Sequence, residues 1–267
     1  MLKDITIGQY FPVESPVHHL DSRTKLILSF AFIIFLFLAQ GVAAYVLCAA
    51  GIAAVTLVSR IPFKMLLKSL KPIAFLAAFT ALLNLLYTPG DVLWQWWIFK
   101  ITSQGIERSI YMVVRIVMLI ASTSLLTYTT SPVALTDAIE TLFRPLNKIH
   151  LPVHEFAMMM TIALRFIPTL IEETEKIMNA QKARGADFES GNLLNRAKAL
   201  VPVLVPLFVS AFRRADELSI AMECRLYRGG EGRTRLKQLK MGKNDGVAFA
   251  ISILFFACVM IATRILP

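Results

Sequence analysis

The stretch "LILSFAFIIFLFLAQGVAAYVLCAAGIAAVTLV" (Leu26–Val58) carries no charge over 33 positions. A bilayer core about 30 Å thick needs roughly 20 apolar residues of helix, so the run is too long for one span. "AQGVAA" (Ala39–Ala44) supplies a break inside it. The stretch therefore reads as two closely joined spans, 25–40 and 42–59. Working outward, three more apolar runs follow: 72–87, 106–128 and "GVAFAISILFFACVMIAT" (Gly246–Thr263). The composition agrees, since 56% of the 267 residues are hydrophobic against roughly 45–50% in soluble domains. The mean hydropathy is +0.62. The expected fold class is an all-α membrane protein with about five transmembrane helices.

Charge supports this count. The net charge is +10. In a membrane protein, cytoplasmic Lys and Arg that fix topology explain such an excess before nucleic acid does. The N-terminal arm carries Lys3, Arg23 and Lys25. The next loop on the same side, "SRIPFKMLLKSLK", carries Arg60, Lys64, Lys68 and Lys71. The segment 131–244 holds most of the rest. On the opposite side, the 39–44 turn has no Lys or Arg and the 88–105 loop has Lys100 alone. The N-terminus is thus expected in the cytoplasm; fusing the first two spans would break the alternation. The opening "MLKDITIGQYFPVESPVHHLDSRTK" is polar and lacks the pattern of a secretory signal, so the first span is expected to persist.

The segment 131–244 is rich in both charge signs yet contains "FAMMMTIALRFIPTLI" and "ALVPVLVPLFVSAF". Arg165 interrupts the first patch, and Pro202 and Pro206 punctuate the second. Three helices fit the segment. The first has Ser131 as N-cap and Pro132 at its first position, and ends by Arg144, ahead of Pro145. The second starts near Pro152 and stops at Gly185. The third starts near Asn192 and stops at Gly229-Gly230. The two long helices are expected to lie at or under the membrane, apolar early and charged late. A soluble helical domain in a loop is the alternative. The chain thus divides into 1–130, an arm and four spans; 131–244, a cytoplasmic coupling domain; and 245–267, the last span.

Candidate chemistry is sparse. Among acidic residues the expected spans hold only Glu107. There is no HExxH, Gly-x-Ser-x-Gly or Walker A pattern, so no catalytic residue is assigned. Cys48, Cys224 and Cys258 form no Cys-x-x-Cys pair. His150 and His154 are four apart, but Pro152 between them argues against a helical metal pair. "YRGGEGRTR" follows a helix, whose negative end disfavours anions. Arg115 lies within a span and must face the bundle or water; backbone carbonyls or Asn84 would hold it structurally, and a substrate-ion role is the alternative. No metal or cofactor is expected. What remains is a pair of arginines at the ends of the two long helices: Ala183-Arg184-Gly185 and Cys224-Arg225-Leu226. Each could simply answer the helix dipole. Yet each has small or apolar neighbours, and a forked guanidinium suits carboxylates or carbonyls in a partner's groove. Two such tips imply two grooves, hence a dimeric partner.

These motifs resemble those of the transmembrane T component of energy-coupling factor transporters, the EcfT/CbiQ family. "GQYFPVESPVHHLDSRTKL" looks like its N-terminal signature, and "RIPFKMLLKSLKP" like its second cytoplasmic loop. "QKARGADF" and "AMECRLYRGGEGRT" resemble its two coupling motifs, with Cys224 where alanine often stands and Arg228 as a nearby competitor to Arg225. The resemblance implies a non-catalytic subunit of the bacterial plasma membrane. It would sit between two ABC ATPases, identical or different, and a substrate-binding S component that carries a vitamin or metal ion. Arg184 and Arg225, with Ala183, Gly185, Cys224 and Leu226, would dock in the ATPases. Met158, Met159 and Met160 are flexible and polarizable, which suits contact with changing S components; core packing is the other reading of this triplet. Membrane lipid is a further partner, and nucleic acid is not. A self-contained membrane transporter or enzyme, with 131–244 as regulatory domain, is the competing function. A membrane anchor for a cytoplasmic complex is a third.

Overall fold

The computed structural model describes residues 10–96, 99–149, 152–188, 192–229 and 239–265. The elements run α1 (Ser22–Leu38), α2 (Val42–Val58), α3 (Phe63–Leu70), α4 (Ala74–Tyr87), β1 (Val92–Trp96), β2 (Phe99–Thr102), α5 (Ser103–Thr129), α6 (Pro132–Phe143), a 3-10 turn (Arg144–Ile149), α7 (Val153–Ala183), α8 (Leu193–Cys224) and α9 (Lys243–Ile265). The chain forms two compact units, one comprising Gly8–Ala138 with Leu239–Pro267 and the other including Ile139–Gln238.

The first unit is a helical bundle organised on α5, which packs against α1, α2, α3 and α4; α9 packs against α1 and α2. Leu36, Ala39, Ala44, Tyr45, Cys48, Met118 and Val259 form its main core. Ile61, Leu66, Ala121, Leu125 and Tyr128 form a second cluster where α3 meets α5. Outward faces are apolar instead of polar: Phe30, Ile34, Phe75, Ile253 and Leu254 are all exposed. That inversion is expected where the surrounding solvent is hydrocarbon. Hydroxyls inside the helices turn back on their own backbone, as in Thr56 to the Ile52 carbonyl (2.6 Å) and Thr129 to the Leu125 carbonyl (2.8 Å). Ser109 donates to Gly105 of its own helix and to Ala81 of α4.

The Ala39–Ala44 break is a two-helix turn. α1 and α2 have 17 residues each, about 26 Å of helix and slightly under one bilayer core. By length and composition, α5, α7, α8 and α9 are each long and apolar enough to cross a membrane; α3 and α4 pass together, with a 60° bend at their junction. The protein is a multi-pass membrane protein. α7 and α8, expected at the membrane surface, thus also carry span-like apolar windows. The β1–β2 hairpin, absent from the sequence reading, occupies the loop between α4 and α5. Its strands are antiparallel, pairing Trp96 with Phe99 and Gln95 with Lys100.

The base of α1 is a knot of buried polar groups. Asp21 caps the helix, accepting from the Arg23 backbone N–H at 2.9 Å, and also takes a bidentate pair from the Arg23 guanidinium (3.2 and 2.9 Å). Arg23 Nη2 donates further to the Leu239 carbonyl at 2.9 Å. Asp245, at the start of α9 and only 4% exposed, accepts from the backbone N–H groups of Asp21 (2.9 Å) and Gly242 (2.7 Å). Lys25 Nζ donates to the carbonyls of His18 (3.0 Å) and Thr129 (2.9 Å). The arm before α1, the end of α5 and the start of α9 are thereby tied together. His18 extends the knot: Nε2 donates to the Phe11 carbonyl at 3.1 Å. That tautomer leaves Nδ1 to accept from Ser15 Oγ at 2.7 Å.

His18 and Asp21, ahead of α1, favour the form this network uses. Burial, then the Lys25 charge, hold His18 below its ordinary 6.5. Burial alone would raise the Asp21 carboxyl, but hydrogen bonds and charge from Arg23 outweigh it and hold the carboxyl below its usual range. Each group binds fewer protons folded than unfolded, so each contributes stability that falls with pH. The His18 contribution is complete above about 6.5 and lost as pH drops through its lower folded value; the Asp21 contribution is lost only at more acidic pH. Thermal unfolding in detergent should therefore show a stability loss beginning below pH 6.5, and His18→Gln should flatten that part of the profile. Asp245→Ala should cost about 1–3 kcal/mol for each buried N–H left unpaired. Asp245→Asn should cost less, because its amide oxygen still accepts one bond; equal unfolding temperatures for the two variants would contradict the assigned contacts.

Candidate functional site

The second unit is built on α7 and α8, of 31 and 32 residues. Both continue through prolines: Pro168 in α7, Pro202 and Pro206 in α8. A proline has no N–H and so frees the carbonyl four residues earlier. Pro206 frees the Pro202 carbonyl, and Gln181 of α7 lies 3.4 Å from that oxygen with its side-chain amide. Nearby, Glu173 of α7 accepts from Ser210 of α8 and from Arg214 Nη2 at 2.8 Å. Nothing in helical spacing announces a partner for Glu173 that lies 41 residues away.

These contacts fix direction. Glu173 meets residues 210 and 214, whereas Gln181 meets residue 202. A side-chain carbon on Gly229 would lie 3.9 Å from Glu155, near the start of α7. The two helices are antiparallel, and their C-termini point to opposite ends of the pair. Measured from the Glu173–Arg214 contact, Arg184 lies eleven residues one way and Arg225 eleven residues the other, which separates the two ends by about 33 Å of helix.

Those ends are the two candidate motifs, and they share one geometry. Arg184 is the C-cap of α7, at φ −87° and ψ 6°; Arg225 is the C-cap of α8, at φ −92° and ψ 13°. After Arg184, the Gly185 N–H bonds to the Lys182 carbonyl (3.0 Å) and the Ala186 N–H to the Gln181 carbonyl (2.9 Å). After Arg225, the Leu226 N–H bonds to the Glu223 carbonyl (2.9 Å) and the Tyr227 N–H to the Met222 carbonyl (3.0 Å). Both are Schellman caps, whose residue after the cap takes the left-handed conformation. In α7 that residue is Gly185, at φ +88°. In α8 it is Leu226, at φ +54°, a conformation that costs a branched L-residue about 1–2 kcal/mol. Leu226 is also 74% exposed. α2 ends the same way, with Arg60 at φ +55°.

Ala183, Arg184, Gly185, Cys224 and Arg225 are exposed as well. Among the described residues neither Arg184 nor Arg225 meets a carboxylate. Arg228 is exposed beside the second motif, but it lies beyond the cap. In the methionine triplet, Met159 is 60% exposed, Met160 is also exposed and Met158 is partly buried. They continue into an apolar surface with Phe156 on α7, and α8 exposes Val205, Phe208 and Phe212.

The remaining candidates are placed differently. Arg115 donates to the Tyr45 hydroxyl at 2.9 Å and stacks near Phe37 (5.6 Å) and Tyr45 (5.8 Å). Its partners are aromatic, whereas Asn84 donates to the Thr80 carbonyl of its own helix. His154 Nδ1 pairs with Glu140 at 2.9 Å; His150 lies outside the described residues, as does "YRGGEGRTR" beyond Gly229. Among the described residues no group of three or more His, Cys, Asp or Glu could hold a metal ion.

Known proteins match this sequence. Residues 13–236 match the CbiQ family, described as cobalt transport protein. The chain is 53% identical over 261 residues to the energy-coupling factor transporter transmembrane protein EcfT of Ruminiclostridium cellulolyticum, covering 98% of both chains. It is 54% identical over 256 residues to that of Heliobacterium modesticaldum, covering 96% of both, and 50% identical over 256 residues to that of Bacillus subtilis, covering 95% of this chain and 97% of the other. Matched over most of its length by the family and about half identical to EcfT proteins almost end to end, the chain belongs to the CbiQ/EcfT family of transporter transmembrane proteins.

Proposed function

We propose that the chain is the coupling subunit of an energy-coupling factor importer. It passes ATP-driven motion from two cytoplasmic ABC ATPases to a membrane-embedded S component that carries a vitamin or metal ion. The observation that carries this reading is the pair of exposed arginines, each the C-cap of a Schellman turn, at opposite ends of one antiparallel helix pair. Opposite ends suit two separate grooves, one per ATPase, better than one shared groove. The arginine fork suits carboxylates and carbonyls within such a groove.

The exposed Phe156, Met159 and Met160 of α7, and separately the exposed Phe208 of α8, suit the S component. Methionine-rich surfaces repack, which fits exchange among several S components. The Lys and Arg bias supports a cytoplasmic N-terminus and a cytoplasmic 131–244 segment, on the side where ATP is found.

Arg184→Ala combined with Arg225→Ala should leave membrane insertion intact and abolish co-purification of the ATPases, with partial assembly in each single variant. Wild-type ATPase yield with the double variant would overturn this docking scheme, and solute uptake into liposomes by the isolated chain would favour a self-contained transporter. Leu226→Gly separates conformation from contact. It relieves the left-handed cost of about 1–2 kcal/mol but adds glycine's greater freedom when unfolded, about 0.5–1 kcal/mol. Unfolding temperature should barely move, while ATPase affinity should fall several-fold through loss of the exposed side chain. Unchanged affinity would remove Leu226 from the interface.

A further inference from the structure

Within the membrane bundle lies a cleft of about 660 Å³ that the coupling scheme does not use. It is bounded by α1, α2, α5 and α9. At one end are Lys25, Thr129 and Asn244; at the other are Phe32, Gly51 and Phe255. These levels are about 10 Å apart along α1 and α2 and rather more along α9. That is close to the depth of one leaflet, half of a core about 30 Å thick. The wall between them is mostly apolar, including Leu28, Val55, Leu125 and Ile251. At the inner level α2 and α9 approach closely at Gly51: a side-chain carbon there would lie 2.7 Å from the Phe255 ring.

We propose that this cleft binds one acyl chain of an anionic phospholipid from the cytoplasmic leaflet. Three features select that occupant. A one-leaflet apolar slot surrounded by hydrocarbon admits a lipid tail without exposing backbone or trapping water. The polar end is cationic: an ammonium has three donors, of which Lys25 commits two to carbonyls. Lys240 and Lys243, both exposed, flank the same end in the chain at the start of α9. Juxtamembrane lysines attract anionic headgroups. The choice of leaflet rests on the cytoplasmic N-terminus proposed above; lipid retention itself does not, so reversed orientation and an empty cleft give different results.

The test uses the full chain, extracted from nanodiscs of equal phosphatidylglycerol and phosphatidylcholine and examined by native mass spectrometry. One retained phospholipid is expected, enriched several-fold in phosphatidylglycerol. Ala248→Phe and Ser252→Leu fill the slot and should remove that lipid without lowering the unfolding temperature. Lys240→Gln with Lys243→Gln should keep the lipid but reduce its phosphatidylglycerol preference. No retained lipid, a retained protein or peptide instead, or retention unchanged in both filled variants would overturn the proposal. Equal retention of the two lipids by the wild type would overturn the assignment of an anionic headgroup.

Discussion

Everything in the membrane bundle hangs on the pairing of Asp245 and Lys25 with backbone groups at the base of α1. Charges that are 4% and 8% exposed are costly unless each is hydrogen-bonded. Here a carboxylate takes two main-chain N–H groups and an ammonium gives to two main-chain carbonyls. The bonds cross from the arm to α5 and α9, so satisfying the charges dictates where three separated segments meet. Core packing holds α1 against α5 and α9, and these bonds add direction that its apolar lipid-facing side does not offer.

The spans were largely legible in the sequence because hydropathy is a long-range average and hydrocarbon leaves few alternatives. Gly41 marked the α1–α2 turn, and Pro132 and Pro145 marked the start and end of α6. What escaped reading depends on distant partners. Arg115 announced that it must be paired, but its spacing could not choose Tyr45 over Asn84. The partnership of Glu173 with Arg214 could not be read because the two are remote in sequence. The β1–β2 hairpin hides in a short aromatic loop with no clear alternation. In the arginine sites, Gly185 signalled its cap through residue type. Leu226 gave no such signal, because its left-handed conformation is imposed by the bonds around it.

The shared cap explains why two different tripeptides can serve similar ends. A Schellman turn fixes the backbone just after the arginine, whatever residue fills the left-handed position. Glycine does this without strain and leaves a bare tip. Leucine does it under strain and leaves an apolar knob. The two ends are thus alike in backbone and unlike in surface, which under the proposed docking scheme would suit ATPases that need not be identical.

The Glu173–Arg214 ion pair joins the long helices away from both ends. Glu173 precedes Arg184 by eleven residues, and Arg214 precedes Arg225 by the same number. Each tip therefore stands about 16 Å of helix from that pair. In mechanical terms the pair is a fulcrum with matched lever arms: equal pushes at the two tips produce equal moments about it.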